Sequence, residues 1–282
     1  MSPSWRDLVE LVRAPAALSV PGDVVAGAAA AGRLGPRTAG LAGASVLLYW
    51  GGMAANDWAD REVDAVERPS RPIPSGRIEP RTALAVAAGL TAAGVAVAGL
   101  TGGKKALAVA APLAGAVWAY DLGLKNTPAG PAAMAACRAL DVLLGAAGGR
   151  LRRAAWPAAT VFAHTYTVTA LSRCEVDGAT PALPAATLAG TAAVAAAAVA
   201  TRRPLVPAGL AALYAYRYGA PQLAAVRDPA APRIRASVGA GILNLPALQG
   251  ALTARAGRPL AGLVVAAAAP LARLLSRKVS PT

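Results

Sequence analysis

Asn56-Asp57-Trp58-Ala59-Asp60-Arg61-Glu62-Val63-Asp64, followed by Arg68-Pro69-Ser70-Arg71-Pro72-Ile73-Pro74-Ser75-Gly76-Arg77, is the stretch from which both fold and chemistry can be read. The chain holds 14 acidic residues in 282, and Asp57, Asp60, Glu62, Asp64 and Glu67 all fall in this one run. If the run continues the apolar helix before it, Asn56, Asp60 and Asp64 recur every fourth residue. That spacing stacks their oxygens on one face, with Asp57 alongside. Stacked like charges repel, so an isolated helix would be weakened by them. Hard divalent cations turn the repulsion to use, because Mg2+ takes a few carboxylates together with phosphate oxygens and water. Arg61, Arg68, Arg71 and Arg77 follow where phosphate oxygens need partners. The competing reading is a solvated acidic loop closed by a Pro-rich turn. It leaves unexplained why an acid-poor chain gathers its acids in one place.

Around this run the chain is apolar. Hydrophobic residues make up 56%, charged ones 15%, and the net charge is +14. A nucleic-acid binder of that charge would spread Lys and Arg over a polar surface with aromatic platforms. Only 4% of the residues are aromatic, and the charges sit in short clusters between long apolar stretches, so no nucleic-acid partner is expected. The pattern is that of a multi-pass protein of the cell membrane, with the bilayer as its partner. The basic excess suits loops facing anionic headgroups or a pyrophosphate ligand. Cys137 and Cys174 lack the spacing of a zinc or redox pair and read as free thiols. Met1 to Arg13 has no basic leader region, so a cleaved signal peptide is not expected and Trp5 reads as a headgroup anchor.

Ten apolar stretches can be drawn, at roughly 14–32, 38–55, 81–101, 105–121, 130–149, 155–171, 183–200, 205–225, 234–253 and 259–276, against the 17–25 residues that cross a bilayer as helix. The eighth carries Arg217, Pro221 and Gln222 and reads as partly interfacial, which leaves nine or ten crossings. Ala and Gly are abundant, as in tightly packed membrane helices. Alternating strands, which a barrel needs, are missing from the sequence. The fold class is therefore all-α, a single domain over residues 1–282. Alternate loops share a face, which gathers the acidic run, the loop around Lys125, the loop 172–182 and the loop 227–235 on one side. Arg33/Arg37, Lys104/Lys105, Arg150/Arg152/Arg153 and Arg202/Arg203 fall on the other.

Two further groups join the acidic run on its side. Tyr120 and Asp121 end one apolar stretch, Lys125 follows, and Arg138 lies inside the next. An arginine there is costly unless paired or lining a wet cavity. An ion pair with Asp141, three residues on, or donation to a phosphate or a second carboxylate would satisfy it. The stretch Ser172-Arg173-Cys174-Glu175-Val176-Asp177-Gly178 brings two more acids. On a helix these two could not face one point, but a break at Gly178 and Pro181 would let both approach one metal. His164, the only histidine, reads as a hydrogen-bonded packing residue, and Asn244 as glue between helices. Asp23 follows Pro21-Gly22 with no partner evident in the sequence.

NDWADREVDAVERPSRPIPSGRI, residues 56–78, resembles the first aspartate-rich motif of the UbiA superfamily of intramembrane prenyltransferases, in its NDxxDxxxD core and in the RPxRPIPSG that follows. The likeness is greatest to the EboC-like and chlorophyll-synthase-like branches. Supporting marks are Arg13, Tyr120 with Lys125, and Arg138 with Gly145. The resemblance implies about nine transmembrane helices around a central cavity, with Mg2+ as cofactor and a polyprenyl diphosphate as donor. It makes Asn56, Asp57, Asp60 and Asp64 metal ligands, joined by Glu175 and Asp177 from the second motif. Diphosphate contacts would be Arg61, Arg68, Arg71, Tyr120, Lys125, Arg138 and Arg173, and the catalytic set Asp60, Asp64, Lys125 and Glu175. Many members carry aspartates four apart in the second motif, where this chain reads SRCEVDG. The implied reaction ionises an allylic diphosphate and passes the prenyl group to an unidentified acceptor. The altered second motif motivates a rival, a non-catalytic membrane carrier or lipid-binding protein on the same fold.

Overall fold

Proline and glycine set the boundaries of nearly every element. The computed structural model describes residues 3–199 and 205–268, and among these it is all-helical. The elements are α1 (Trp5–Leu11), a 3-10 turn (Ala14–Ser19), α2 (Pro21–Ala30), α3 (Pro36–Ala59), α4 (Arg61–Glu67), α5 (Pro80–Leu122), a second 3-10 turn (Leu124–Asn126), α6 (Gly130–Gly145), α7 (Leu151–Ser172), α8 (Ala182–Val199), α9 (Leu205–Arg227), α10 (Ala231–Arg255) and α11 (Pro259–Ala266). Proline stands in the first turn of α2, α3, α5, α6, α10 and α11, where its missing N–H costs nothing. By length and composition α5 and α8 are able to cross a membrane. Arg202, Arg203 and the end of the tenth apolar stretch, 269–276, lie outside the described residues.

The stretches at 81–101 and 105–121 are the two limbs of α5, which reverses at Gly103 (φ 65°, ψ −159°), a backbone conformation essentially reserved for glycine. Trp118 Nε1 donates to Thr91 Oγ1 at 3.1 Å, so residues on either side of the corner lie against one another. α3 runs antiparallel to the first limb, with Gly94 against Ala44 and Leu48 and Gly51 against Ala87 and Thr91. The ends of α3 and α5 therefore reach the same face of the molecule. α2 and α6 approach until a Cβ on Gly27 would strike the Val142 carbonyl and one on Gly145 the Val24 carbonyl. Small residues set this distance, as in helix pairs packed in lipid. The core beneath α7, α9 and α10 holds Val161, Leu171, Tyr214, Tyr218, Ile234 and Leu248.

Two expectations need correction. The stretch 14–32 is a 3-10 turn plus a ten-residue helix, about 15 Å long, too short to cross a bilayer core as helix. The eighth stretch is one continuous 23-residue helix, with Arg217 exposed on it. Its Gln222 is buried, and its Nε2 donates to Thr191 Oγ1 on α8 at 2.9 Å. The acidic run is not one uninterrupted helix. The backbone breaks at Asp60 (φ −89°, ψ 4°), between α3 and α4. The Asp60 N–H still reaches the Asn56 carbonyl, and the Asp64 N–H the Asp60 carbonyl, so the four-residue spacing survives the break.

His164 is the packing residue expected, with Nδ1 2.8 Å from the Tyr214 hydroxyl. Asn244 donates to the Ala240 carbonyl one turn back in α10.

Candidate active site

The helix break at Asp60 turns α4 so that Asp64 alone of its residues is buried, while Val63 and Val66 are exposed. Asp64 is buried at 2% exposure, whereas Glu62 and Glu67 face outward. Pro69, Pro72 and Pro74 then stiffen a tight loop, closed by the Gly76 N–H on the Ile73 carbonyl and the Ile78 N–H on the Pro72 carbonyl. This loop returns Arg71 over the end of α3. Arg71 Nη1 lies 3.3 Å from Asp57 Oδ1 and 2.5 Å from Asp64 Oδ2. One guanidinium nitrogen thus sits between two buried carboxylates. Arg68 adds a 3.6 Å contact to Asp64.

Arg13 reaches the same carboxylates from the N-terminal side, with Nη2 2.7 Å from Asp57 Oδ1. It is the one non-glycine residue with positive φ (46°) among those described. Such strain persists where surrounding contacts hold it, commonly at functional sites. Arg77 fastens α1 over the loop through Asp7 (2.8 Å), Glu10 (2.6 Å) and the Ser70 carbonyl. The Ser4 hydroxyl and Arg77 hold the Asp7 carboxyl below its ordinary value.

From the far end of α5, Lys125 Nζ pairs with Asp60 Oδ1 at 2.7 Å. Asp121, 3% exposed, accepts from Asn56 Nδ2 at 3.3 Å. Tyr120 lies within electrostatic reach of Asp60 and Asp121. Arg173 donates to the Thr127 carbonyl at 2.6 Å, which ties the end of α7 to the loop that carries Lys125. Glu175 is half-buried. Desolvation raises its pKa, while the charges of Arg235 and Arg68 oppose the rise.

Asn56, Asp57, Asp60, Asp64, Arg68, Arg71, Tyr120 and Lys125 are thus brought to one place, with Glu175 at its edge. The other expected site residues are turned elsewhere. Arg61 stacks on the Trp58 ring at 5.0 Å and pairs with Glu62 at 3.2 Å. Asp177 is exposed. Arg138 does not pair with Asp141. Its Nη2 meets Asp23 Oδ2 at 2.8 Å and the Ser19 carbonyl, while Asp141 accepts from Ser45. Three residues along α6 give Arg138 and Asp141 different neighbours, and α2 brings Asp23 to the arginine. Asp23 also accepts from Gln249 at 2.7 Å, so this fully buried acid has partners the sequence did not reveal. Arg13 and Asp121 belong at the site but were not singled out as ligands. Arg13 sits 44 residues from Asp57 behind a strained turn, and only the Tyr-Asp pairing at the end of an apolar stretch signals Asp121.

Asn56, Asp57, Asp60 and Asp64 offer hard oxygens suited to Mg2+, and the seat of Arg71 shows that Asp57 and Asp64 share one cation position. The acids do not stand as a preformed cluster. Among the described residues no three acidic, cysteine or histidine side chains converge as a metal would need. Each of Asp57, Asp60 and Asp64 is tied to a base instead. A cavity of about 450 Å3, lined by Arg33, Arg37, Thr38, Gly102 and Gly148 among others, opens on the opposite face and shares no residue with this site.

Such a bundle, apolar through its helices with carboxylates and bases interleaved at one end, has the character of an integral membrane protein. The chain belongs to the UbiA prenyltransferase family, whose model matches residues 19–214. It is similar to digeranylgeranylglyceryl phosphate synthase of Methanothrix thermoacetophila, 47% identical over 85 residues, or 30% of this chain and 32% of that protein. The synthase of the same name from Ignicoccus hospitalis is 38% identical over 122 residues, 43% of this chain and 40% of that one. The bacteriochlorophyll synthase 33 kDa chain of Cereibacter sphaeroides is 46% identical over 63 residues, 22% of this chain and 21% of that one. The matched regions span less than half of each relative. Two solved structures share the fold, each over 89% of this chain and 97% of the other. One is an apo UbiA homologue from Aeropyrum pernix K1, with TM-score 0.65 and 21% identity. The other is a digeranylgeranylglyceryl phosphate synthase, with TM-score 0.63 and 15% identity. The narrower expectation of an EboC-like or chlorophyll-synthase-like branch is not singled out by these relatives.

Proposed function

We propose that this protein is a Mg2+-dependent prenyltransferase of the cell membrane, moving a prenyl group from a polyprenyl diphosphate to a glyceryl-phosphate-type lipid acceptor and releasing pyrophosphate. The observation that carries the reading is Arg71 seated between Asp57 and Asp64 with Lys125 on Asp60, at the mouth of an apolar bundle. The acceptor class is suggested by the names of the synthases to which the chain is similar.

Asp57, Asp60 and Asp64, with Asn56 and with Glu175 from the second stretch, would hold Mg2+, which supplies Lewis-acid stabilisation of charge on the leaving diphosphate. Arg71, Arg68 and Lys125 are placed to donate hydrogen bonds to phosphate oxygens as negative charge grows there. Charge-assisted bonds of this kind are about twice as strong as neutral ones. Tyr120 lies within electrostatic reach of Asp60 and would join these residues. The apolar helices below keep water from the allylic cation until the acceptor hydroxyl captures it. The bond from prenyl carbon to diphosphate oxygen breaks, a carbon–oxygen bond to the acceptor forms, and the hydroxyl proton leaves to solvent or to a carboxylate.

The test is purified protein in lipid nanodiscs with Mg2+ and labelled geranylgeranyl diphosphate, offered acceptors with and without a glyceryl phosphate. A labelled ether lipid is expected from the phosphate-bearing alcohol. Product only from another acceptor class would overturn the acceptor assignment. Binding of donor without product from any acceptor would favour the carrier reading, for which the exposure of Asp177 is the supporting observation.

A further inference from the structure

The cations at this site are as closely placed as the acids. Asp57, Asp60, Asp64 and Asp121 meet Arg13, Arg68, Arg71 and Lys125, so charge is balanced before any ligand is considered. Arg71 Nη1 fills the position that a divalent cation bridging Asp57 and Asp64 would take, and the two cannot be there together. A bare dication would add two uncompensated charges and strand a guanidinium that is only 20% exposed. A diphosphate changes both terms, since it gives Arg71, Arg68 and Lys125 new acceptors and leaves the carboxylates to the metal.

We propose that Arg71 is a specificity-determining residue, which makes the site refuse a divalent cation on its own and accept one only together with a diphosphate-class anion. The inference rests on the metal–diphosphate reading above and adds the order it imposes: the anion draws Arg71 away from Asp57 and Asp64, and the metal follows. The loop is built for such an exchange. Pro69, Pro72 and Pro74 fix its backbone, while the Arg71 side chain spans the gap to Asp57 on α3 and Asp64 on α4. Lys125 plays the same part toward Asp60 from the opposite side. Arg13 remains on Asp57, so that carboxylate keeps one partner when Arg71 moves.

Mn2+ binding to the full chain in detergent, read by electron paramagnetic resonance and equilibrium dialysis at matched free Mn2+, tests this without turnover. Wild-type protein should retain Mn2+ about tenfold or more tightly with inorganic pyrophosphate than without it, a gap set by close-range charge in a partly buried site. Arg71→Gln should bind Mn2+ alone about tenfold more tightly than wild type, because the competing charge is gone, and should lose most of the pyrophosphate enhancement. The wild-type comparison stands even if the variant does not fold. Equal wild-type affinity with and without pyrophosphate, or no tightening in a folded Arg71→Gln, would overturn the inference and leave the prenyltransferase reading intact. Absence of Mn2+ binding under both conditions would overturn both.

Discussion

Glu175 and Asp177 stand two residues apart in the same loop, yet their surroundings differ. Glu175 is half-buried and feels Arg235 and Arg68, whereas Asp177 is exposed. Glu175→Gln is therefore expected to lower kcat/KM by about tenfold or more and Asp177→Asn by less than about twofold, measured as pyrophosphate release at fixed Mg2+, since only a carboxylate facing the site can stabilise the transition state. Equal losses in the two variants would remove the distinction. At this scale the gathering of Asp57, Asp60, Asp64, Arg71 and Lys125 in one place was legible, because acids are scarce in the chain and their spacing is regular. The stacking of Arg61 on Trp58, within the same motif, was not. Nor was the pairing of Asp23 with Arg138, which depends on how α2 and α6 cross.

The break at Asp60 and the reversal at Gly103 do the positioning between them. The first aims Asp64 inward, and the second brings Asp121 and Lys125 back beside Asn56 and Asp60. Gly103 holds a φ of 65°, so Gly103→Ala should cost about 1–3 kcal/mol of stability from backbone strain. A fall in the thermal unfolding midpoint in detergent, with substrate affinity kept in the surviving folded fraction, is the expected result. An unchanged midpoint would mean that the corner relaxes without penalty. The apolar stretches 38–55, 155–171 and 234–253 were legible as α3, α7 and α10 because apolar length alone fixes a helix in lipid. The short α2 was not, since a run of small apolar residues reads the same whether ten or nineteen of them are helical. The place of Gln222 in the eighth stretch was not legible either, because its donor contact to Thr191 depends on how α8 packs against α9.

Across the whole molecule, alternate connections on one face are enough to gather the functional groups from both halves of the chain. The end of α3, the start and end of α5, the end of α7 and the start of α10 all reach that face, and Arg235 of α10 donates to the Glu175 carbonyl at 2.7 Å. The fold class followed from composition and periodicity, and the family from one motif. The ion-pair network followed from neither, because it needs the loop of residues 68–78 folded over α3. In the proposed reaction Asp60 and Asp64 grip a donor's pyrophosphate through a divalent cation. Pyrophosphate release from geranylgeranyl diphosphate by wild type, Asp60→Ala and Asp64→Ala, each first shown to be folded by circular dichroism and size-exclusion elution, tests it most directly. Wild-type turnover should be Mg2+-dependent and fall by at least about a hundredfold in each variant, the scale expected when charge stabilisation of a leaving group is lost. Wild-type rates in both folded variants would contradict the account.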